Sequence, residues 1–163
     1  MLIDSHCHLD FEALANDIDG VMARAAAAGV TGMVTISTHV EKFSTYAGLA
    51  ERFENVWCSV GTHPHHADEE LHITTDDLVR LSAHPRCVAI GEAGLDYFYD
   101  NAPREAQAAT RTMAAMCMRT PVCTSALAQR AAADRGAGGA AGGCRRGVSG
   151  DAFSHTSARD SRD

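Results

Sequence analysis

"LIDSHCHLD", residues Leu2 to Asp10, decides how this chain is read. A short apolar run leads into two histidines separated by one cysteine. In a strand, side chains at i and i+2 point to the same face. His6 and His8 therefore project side by side, with Cys7 on the opposite face. If their face lines a cavity, the pair is a chelate. If it meets solvent, the two rings serve only to hydrogen-bond backbone at a strand end.

The residues that follow alternate strand and helix signals. "LIDSH", "GMVTIS", "NVWCSVG" and "CVAIGEAG" read as four strands. Between the first two, Ile18, Val21, Met22 and Ala25 recur at helical spacing, with Gly29 as a stop. Thr38 followed by Glu41 predicts a capping box for a helix with Phe43, Tyr46, Ala47, Ala50 and Phe53 on one face. Thr75 opens a shorter helix that ends at His84-Pro85, and Asn101 caps a helix with Pro103 in its first turn. This βαβ rhythm implies a parallel sheet, either doubly wound or of the (β/α) barrel type. Both place their sites at the carboxyl ends of strands. His6 and His8 end the first strand, His63 and His65 follow the third, and Glu92 and Asp96 follow the fourth.

The chain has 163 residues, enough for one domain with a real core. It is short for a closed (β/α)8 barrel, which typically takes ~250 residues. The net charge of −7 argues against a broad basic face for nucleic acid, so a nucleic-acid substrate would need metal ions to supply positive charge. No run approaches the ~20 apolar residues of a membrane span, and no signal peptide is visible. The six cysteines are spread without C-x-x-C pairs, which fits a reducing cytoplasm. After Gln107, Ile is absent, and Val122, Leu127 and Val148 are the last aliphatic β-branched or leucine residues. Ala, Gly and Arg take over, as in "AAADRGAGGAAGGCRRG". Such a segment buries too little apolar surface to offset its backbone entropy. The expected division is an ordered α/β unit over residues 1–120 and a divergent, disordered Ala/Gly/Arg-rich tail over 121–163, with a short helix around Ser125 to Asp134.

Metal-assisted hydrolysis needs ligands on rigid elements and an open coordination position. His6 and His8 form one corner of such a site, and Glu92 is the carboxylate to complete it. Together, "IDSHCHLD", "GTHPHHA" and "GEAGLDYFYD" followed by "REAQ" resemble the TatD family of metal-dependent deoxyribonucleases, in the amidohydrolase superfamily. The resemblance covers residues 2 to about 107. It implies an α/β fold of the TIM-barrel type, here its N-terminal half of four to five β/α units. It implies a two-metal phosphodiesterase acting on DNA, using divalent ions (Zn, Mg or Mn). It makes His6 and His8 ligands of one ion and Glu92 a ligand shared by both, and it places His63 in the substrate pocket. The family's further ligands, two histidines and an aspartate, belong to later strands. Here "TPVCTSALA" stands at the fifth strand, with Ser125 near the ligand position. The tail's bias is that of GC-rich coding sequence read out of frame, so a truncated, impaired enzyme is expected.

Two other readings remain open. One is a non-catalytic half-barrel that self-associates through its exposed edge. The other is an amidohydrolase acting on C–N bonds. Such enzymes commonly bridge their metals with a modified lysine, and Lys42, the chain's one lysine, lies in a predicted helix. The remaining polar groups are read as structural. Asp96 holds its loop, His65 and His66 are solvated, and Asp68-Glu69-Glu70 is a solvated acidic run.

Overall fold

The computed structural model describes residues 2–120. Strands β1 (Leu2–Cys7), β2 (Val30–Thr35), β3 (Val56–Val60) and β4 (Cys87–Ile90) form one sheet in the order β1-β2-β3-β4. Every neighbouring pair is parallel. Parallel strands need a crossover, and helices supply each one. These are α1 (Glu12–Ala15) and α2 (Ile18–Ala27) after β1, α3 (Phe43–Arg52) after β2 and α4 (Thr75–Ser82) after β3, while α5 (Arg104–Met118) follows β4. Four β/α units are thus present among the described residues. The expectations of a disordered tail, a helix near Ser125 and a fifth unit fall on residues 121–163, outside the described residues.

Helix α3 buries Phe43, Tyr46, Ala47 and Ala50, the face its spacing predicts. They join Met33, Val56, Cys58, Val60 and Leu78 in one core. Gly29 ends α2 at φ 83°, a conformation that β-carbon-bearing residues rarely adopt. Arg86, just before β4, donates to the carbonyls of Ala50, Phe53, Glu54 and Val56. Its guanidinium also lies 4.8 Å from the centre of the Trp57 ring. One side chain thereby satisfies the end of α3 and the entry to β3.

The caps differ from the sequence prediction. Thr38 makes no capping box, because its hydroxyl is taken by Tyr46 and by His39 Nδ1. A 3-10 turn, Val40–Lys42, precedes α3 instead, with no side-chain cap. The capping box belongs to α4, where Thr74 and Asp77 exchange bonds. Pro103, not Asn101, occupies the cap position of α5.

Glu70 corrects the reading of a solvated acidic run. Asp68 and Glu69 are exposed, but Glu70 is only 1% exposed. Its carboxylate accepts from the backbone N–H groups of Val40 and Glu41, both at 2.9 Å, and from the Thr62 hydroxyl. It therefore does for the 3-10 turn what a cap residue would have done, from thirty residues away. Glu70→Ala would strand the buried Val40 and Thr62 donors and the part-buried Glu41 N–H, and we expect it to destabilise the fold by about 3 kcal/mol. Urea denaturation measures this; a change below about 0.5 kcal/mol would show that water replaces the carboxylate without loss.

Strands β1 and β4 are the sheet's two edges. On β1, Leu2 and Ile3 are 60% and 66% exposed, so this edge presents apolar side chains as well as unpaired backbone.

Candidate metal centre

Three sheet intervals of ~4.8 Å would hold β1 and β4 about 14 Å apart in a flat sheet. Yet His6 Nε2, from β1, lies 3.5 Å from Glu92 Oε2, just beyond β4. The sheet is therefore curled, and its strand ends converge on its inner side. Ligand atoms of His6, His8 and Glu92 all lie within 4.8 Å of one another. The His6 and His8 rings are 5.3 Å apart, edge to face, on the shared side that their spacing predicts. Cys7 points away, with its thiol 3.3 Å from the Val34 carbonyl. Burial, with help from Asp4 and Asp10, pushes that thiol's pKa up to about 12, so it stays protonated and inert.

The imidazoles are oriented from outside. His8 Nδ1 lies 3.1 Å from the Ile36 carbonyl oxygen. A proton on Nδ1 is donated there, which leaves the Nε2 lone pair for the pocket. Phe11 stacks on His8 at 4.7 Å. Glu92 is set by its backbone: its N–H donates to the Ser37 carbonyl at 3.0 Å, and the Ser59 hydroxyl donates to the Gly91 carbonyl at 2.6 Å. Ser37 and Ser59 are themselves fully buried.

His63 joins this group. Its Nε2 is 3.6 Å from Glu92 Oε1, so the two carboxylate oxygens face different imidazoles. Burial lowers the His63 pKa, and His65, His66 and His8 lower it further, against the raising effect of Glu92. His63 is therefore neutral at pH 7. His65 is not merely solvated: its Nε2 lies 2.7 Å from Asp96, which in turn caps the N–H of Phe98. Gln107 is fully buried and holds the same loop, accepting from the Asp96 N–H and donating to the carbonyls of Asp96 and Ala102. A surface groove of about 350 Å³ lies elsewhere, between α3 and α4, and none of these residues lines it.

The donor set fits a divalent ion. Ligand atoms ~2.0–2.2 Å from a tetrahedral ion lie about 3.3–3.5 Å apart. The His6–Glu92 separation of 3.5 Å already matches that requirement. Two imidazoles and a carboxylate suit first-row divalent ions.

Gly61 guards this geometry. A β-carbon there would lie 2.7 Å from the Glu92 carbonyl oxygen and 2.7 Å from the Gly91 carbonyl carbon. These are backbone atoms and cannot swing aside. Gly61→Ala should therefore displace Glu92 and weaken divalent-ion binding about 10–100-fold, the range found when a ligand's supports are lost. Calorimetric titration with Zn²⁺ reads the effect; an unchanged affinity would mean the strand ends yield without moving the carboxylate.

Sequence reasoning found His6, His8, Glu92 and His63, and the fold brings these four together. It missed Ser37, Ser59, Glu70 and Gln107. Ser37 and Ser59 show only as polar residues in or beside apolar runs, Glu70 lies in an acidic triplet and Gln107 in the "REAQ" stretch, and nothing local told which distant backbone they serve.

A curled sheet of parallel strands crossed by helices, with polar side chains converging at its strand ends, is the architecture of a (β/α) barrel. The chain belongs to the TatD related DNase family, whose model matches residues 3–117. The solved structure of YjjV, a TatD homologue from Escherichia coli K12, superposes with a TM-score of 0.60 at 29% identity, over 72% of this chain and 46% of that one. The uncharacterized metal-dependent hydrolase YcfH of E. coli K12 is 40% identical over 101 residues, 60% of this chain and 37% of its own length. The 3'-5' ssDNA/RNA exonuclease TatD of Salmonella typhimurium is 36% identical over 96 residues, 59% of this chain and 37% of its own. This chain thus spans under half the length of the curated relatives it matches. The fold is α/β of the TIM-barrel type. Among the described residues, no helix is long and apolar enough to cross a membrane.

Proposed function

We propose that this chain carries the first half of a metal-dependent phosphodiesterase site that acts on DNA, with impaired turnover. The observation that supports it most is the convergence of His6, His8 and Glu92, with His63 on Glu92's second oxygen. A divalent ion, when bound, polarises a phosphoryl oxygen and lowers the pKa of water. His6 and His8 would hold the first ion, and Glu92 would be shared with a second. His8 is held in one tautomer by Ile36, so little ordering cost is left for binding. Neutral His63 presents an N–H to a phosphate oxygen, which positions the diester beside Glu92. The Salmonella relative's name supports a nucleic-acid substrate. We further propose that residues 1–120 form the barrel unit and 121–163 a separate tail, since the family match stops at residue 117. A cytoplasmic location is proposed with it, on the cysteine pattern.

The test is hydrolysis of single-stranded DNA and of bis(p-nitrophenyl) phosphate with added Mg²⁺, Mn²⁺ or Zn²⁺. A slow, metal-dependent rate that Glu92→Ala removes supports the reading. A rate indifferent to Glu92→Ala refutes it.

The exposed apolar edge of β1 favours a second reading, a non-catalytic half-barrel that pairs with another copy. It calls for a dimer in sedimentation velocity and no metal-dependent turnover. Cleavage of C–N bonds has less support, because Lys42 is exposed in the 3-10 turn after β2, away from β4.

A further inference from the structure

We propose that His39, His66 and Glu69 form a second divalent-metal site, suited to a first-row transition ion such as Zn²⁺, on the rim beside the His6–His8–Glu92 pocket. Ligand atoms of the three residues lie within 4.8 Å of one another. They come from two loops: His39 follows β2, while His66 and Glu69 follow β3. Glu69 reaches both rings with its carboxylate. Its Oε1 is 2.8 Å from His66 Nδ1, and its Oε2 is 3.4 Å from His39 Nε2. The second distance already matches the roughly 3.3–3.5 Å between neighbouring ligands of a tetrahedral ion. The two rings pack 4.1 Å apart with their planes tilted by 34°.

Two features outside the triad prepare it for an ion. The first is the bond between His39 Nδ1 and the Thr38 hydroxyl at 3.1 Å, itself 3.2 Å from the buried Tyr46 hydroxyl. In the tautomer in which Nδ1 donates to that hydroxyl, Nε2, the nitrogen facing Glu69, is the lone-pair atom. Metal-bound histidines are held in this way by an outer partner. The second is Glu70, whose buried carboxylate bonds Val40, Glu41 and Thr62 and so ties the loop after β2 to the loop after β3. The two loops that carry the ligands are thereby tied to each other before any ion arrives. Exposure grades outward, from His39 at 13% through His66 at 36% to Glu69 at 56%, so one side stays open for water as a fourth ligand.

The chemistry selects the ion. Two imidazoles with one carboxylate favour Zn²⁺, Co²⁺, Ni²⁺ or Cu²⁺ over Mg²⁺ and Ca²⁺, which prefer all-oxygen shells. A neutral histidine carries its proton on either ring nitrogen, so moving the His66 proton to Nε2 frees Nδ1 for the ion. The site is separate from the strand-end centre, since none of its residues is shared. His63 neighbours both, 6.1 Å from His66 ring to ring and 3.6 Å from Glu92.

Zn²⁺ titration of the full chain by calorimetry, with total bound metal counted after desalting, tests the assignment. His66→Gln and Glu69→Gln alter accessible side chains, and far-UV circular dichroism checks that the fold is kept. Each should weaken one class of Zn²⁺ site at least tenfold, and His6→Ala/His8→Ala should leave that class intact. Should the strand-end centre bind nothing, a single ion lost with His66→Gln still supports the rim site. Zn²⁺ binding that is unchanged in both His66→Gln and Glu69→Gln overturns it, as does loss of all Zn²⁺ in His6→Ala/His8→Ala.

Discussion

Replacing His6 and His8 together with alanine removes one divalent ion per chain and lowers affinity at the strand-end centre by on the order of 10³-fold or more. The magnitude follows from what is left. Glu92 is a single carboxylate with 29% of its side chain exposed, and a lone carboxylate holds a first-row ion weakly in water. His63 stays near it, but one imidazole does not replace two whose rings are already 5.3 Å apart. The fold should tolerate the change. His6 is exposed, and His8 gives up one bond to Ile36 and its stacking on Phe11. Metal analysis of the double variant at fixed free Zn²⁺ decides the matter. An unchanged metal content would place the ion elsewhere.

The second large effect concerns rate. Assayed beside the Salmonella exonuclease on single-stranded DNA, this chain should turn over at least about 10³-fold more slowly. Two-ion hydrolysis stabilises both the attacking and the leaving oxygen. Among the described residues, one three-ligand set stands at the strand ends, and the carboxylate it offers for sharing has His63 as its other neighbour. Groups that act as one catalytic unit fail together, so an incomplete set forfeits most of the rate, not a proportionate share. Comparable rates, with all activity lost in Glu92→Ala, would overturn the expectation and mean that this chain or its dimer assembles a full centre.

Much of this arrangement was legible in the order of residues. Aliphatic runs separated by amphipathic stretches announce parallel strands, because the inner strands of such a sheet are covered on both faces. A two-residue spacing puts His6 and His8 on one side, whatever the rest of the chain does. The illegible parts depend on distance. Thr38 and Glu41 carry a capping pattern, but Tyr46 takes the Thr38 hydroxyl, and Glu70 meets the donors that a cap would have met. Glu70 sits in an acidic triplet, and only the folded path shows that one of the three turns inward. Gln107 reads as one polar residue on an amphipathic helix, while it holds the backbone of the Asp96 loop. Polar residues that serve remote backbone leave no periodic trace.

The plain strand order β1-β2-β3-β4 bears on how the chain is made. Strands begin at Leu2, Val30, Val56 and Cys87, and each pairs with the one before it. A ribosome adding ~5–20 residues per second releases each unit within a few seconds of the last. Every newly emerged strand finds its partner already in place, so growth is by accretion along one edge. The meeting of Glu92 with His6 waits for the fourth unit, and by then Ser37 and Ser59, which hold the Gly91–Glu92 backbone, are already in place.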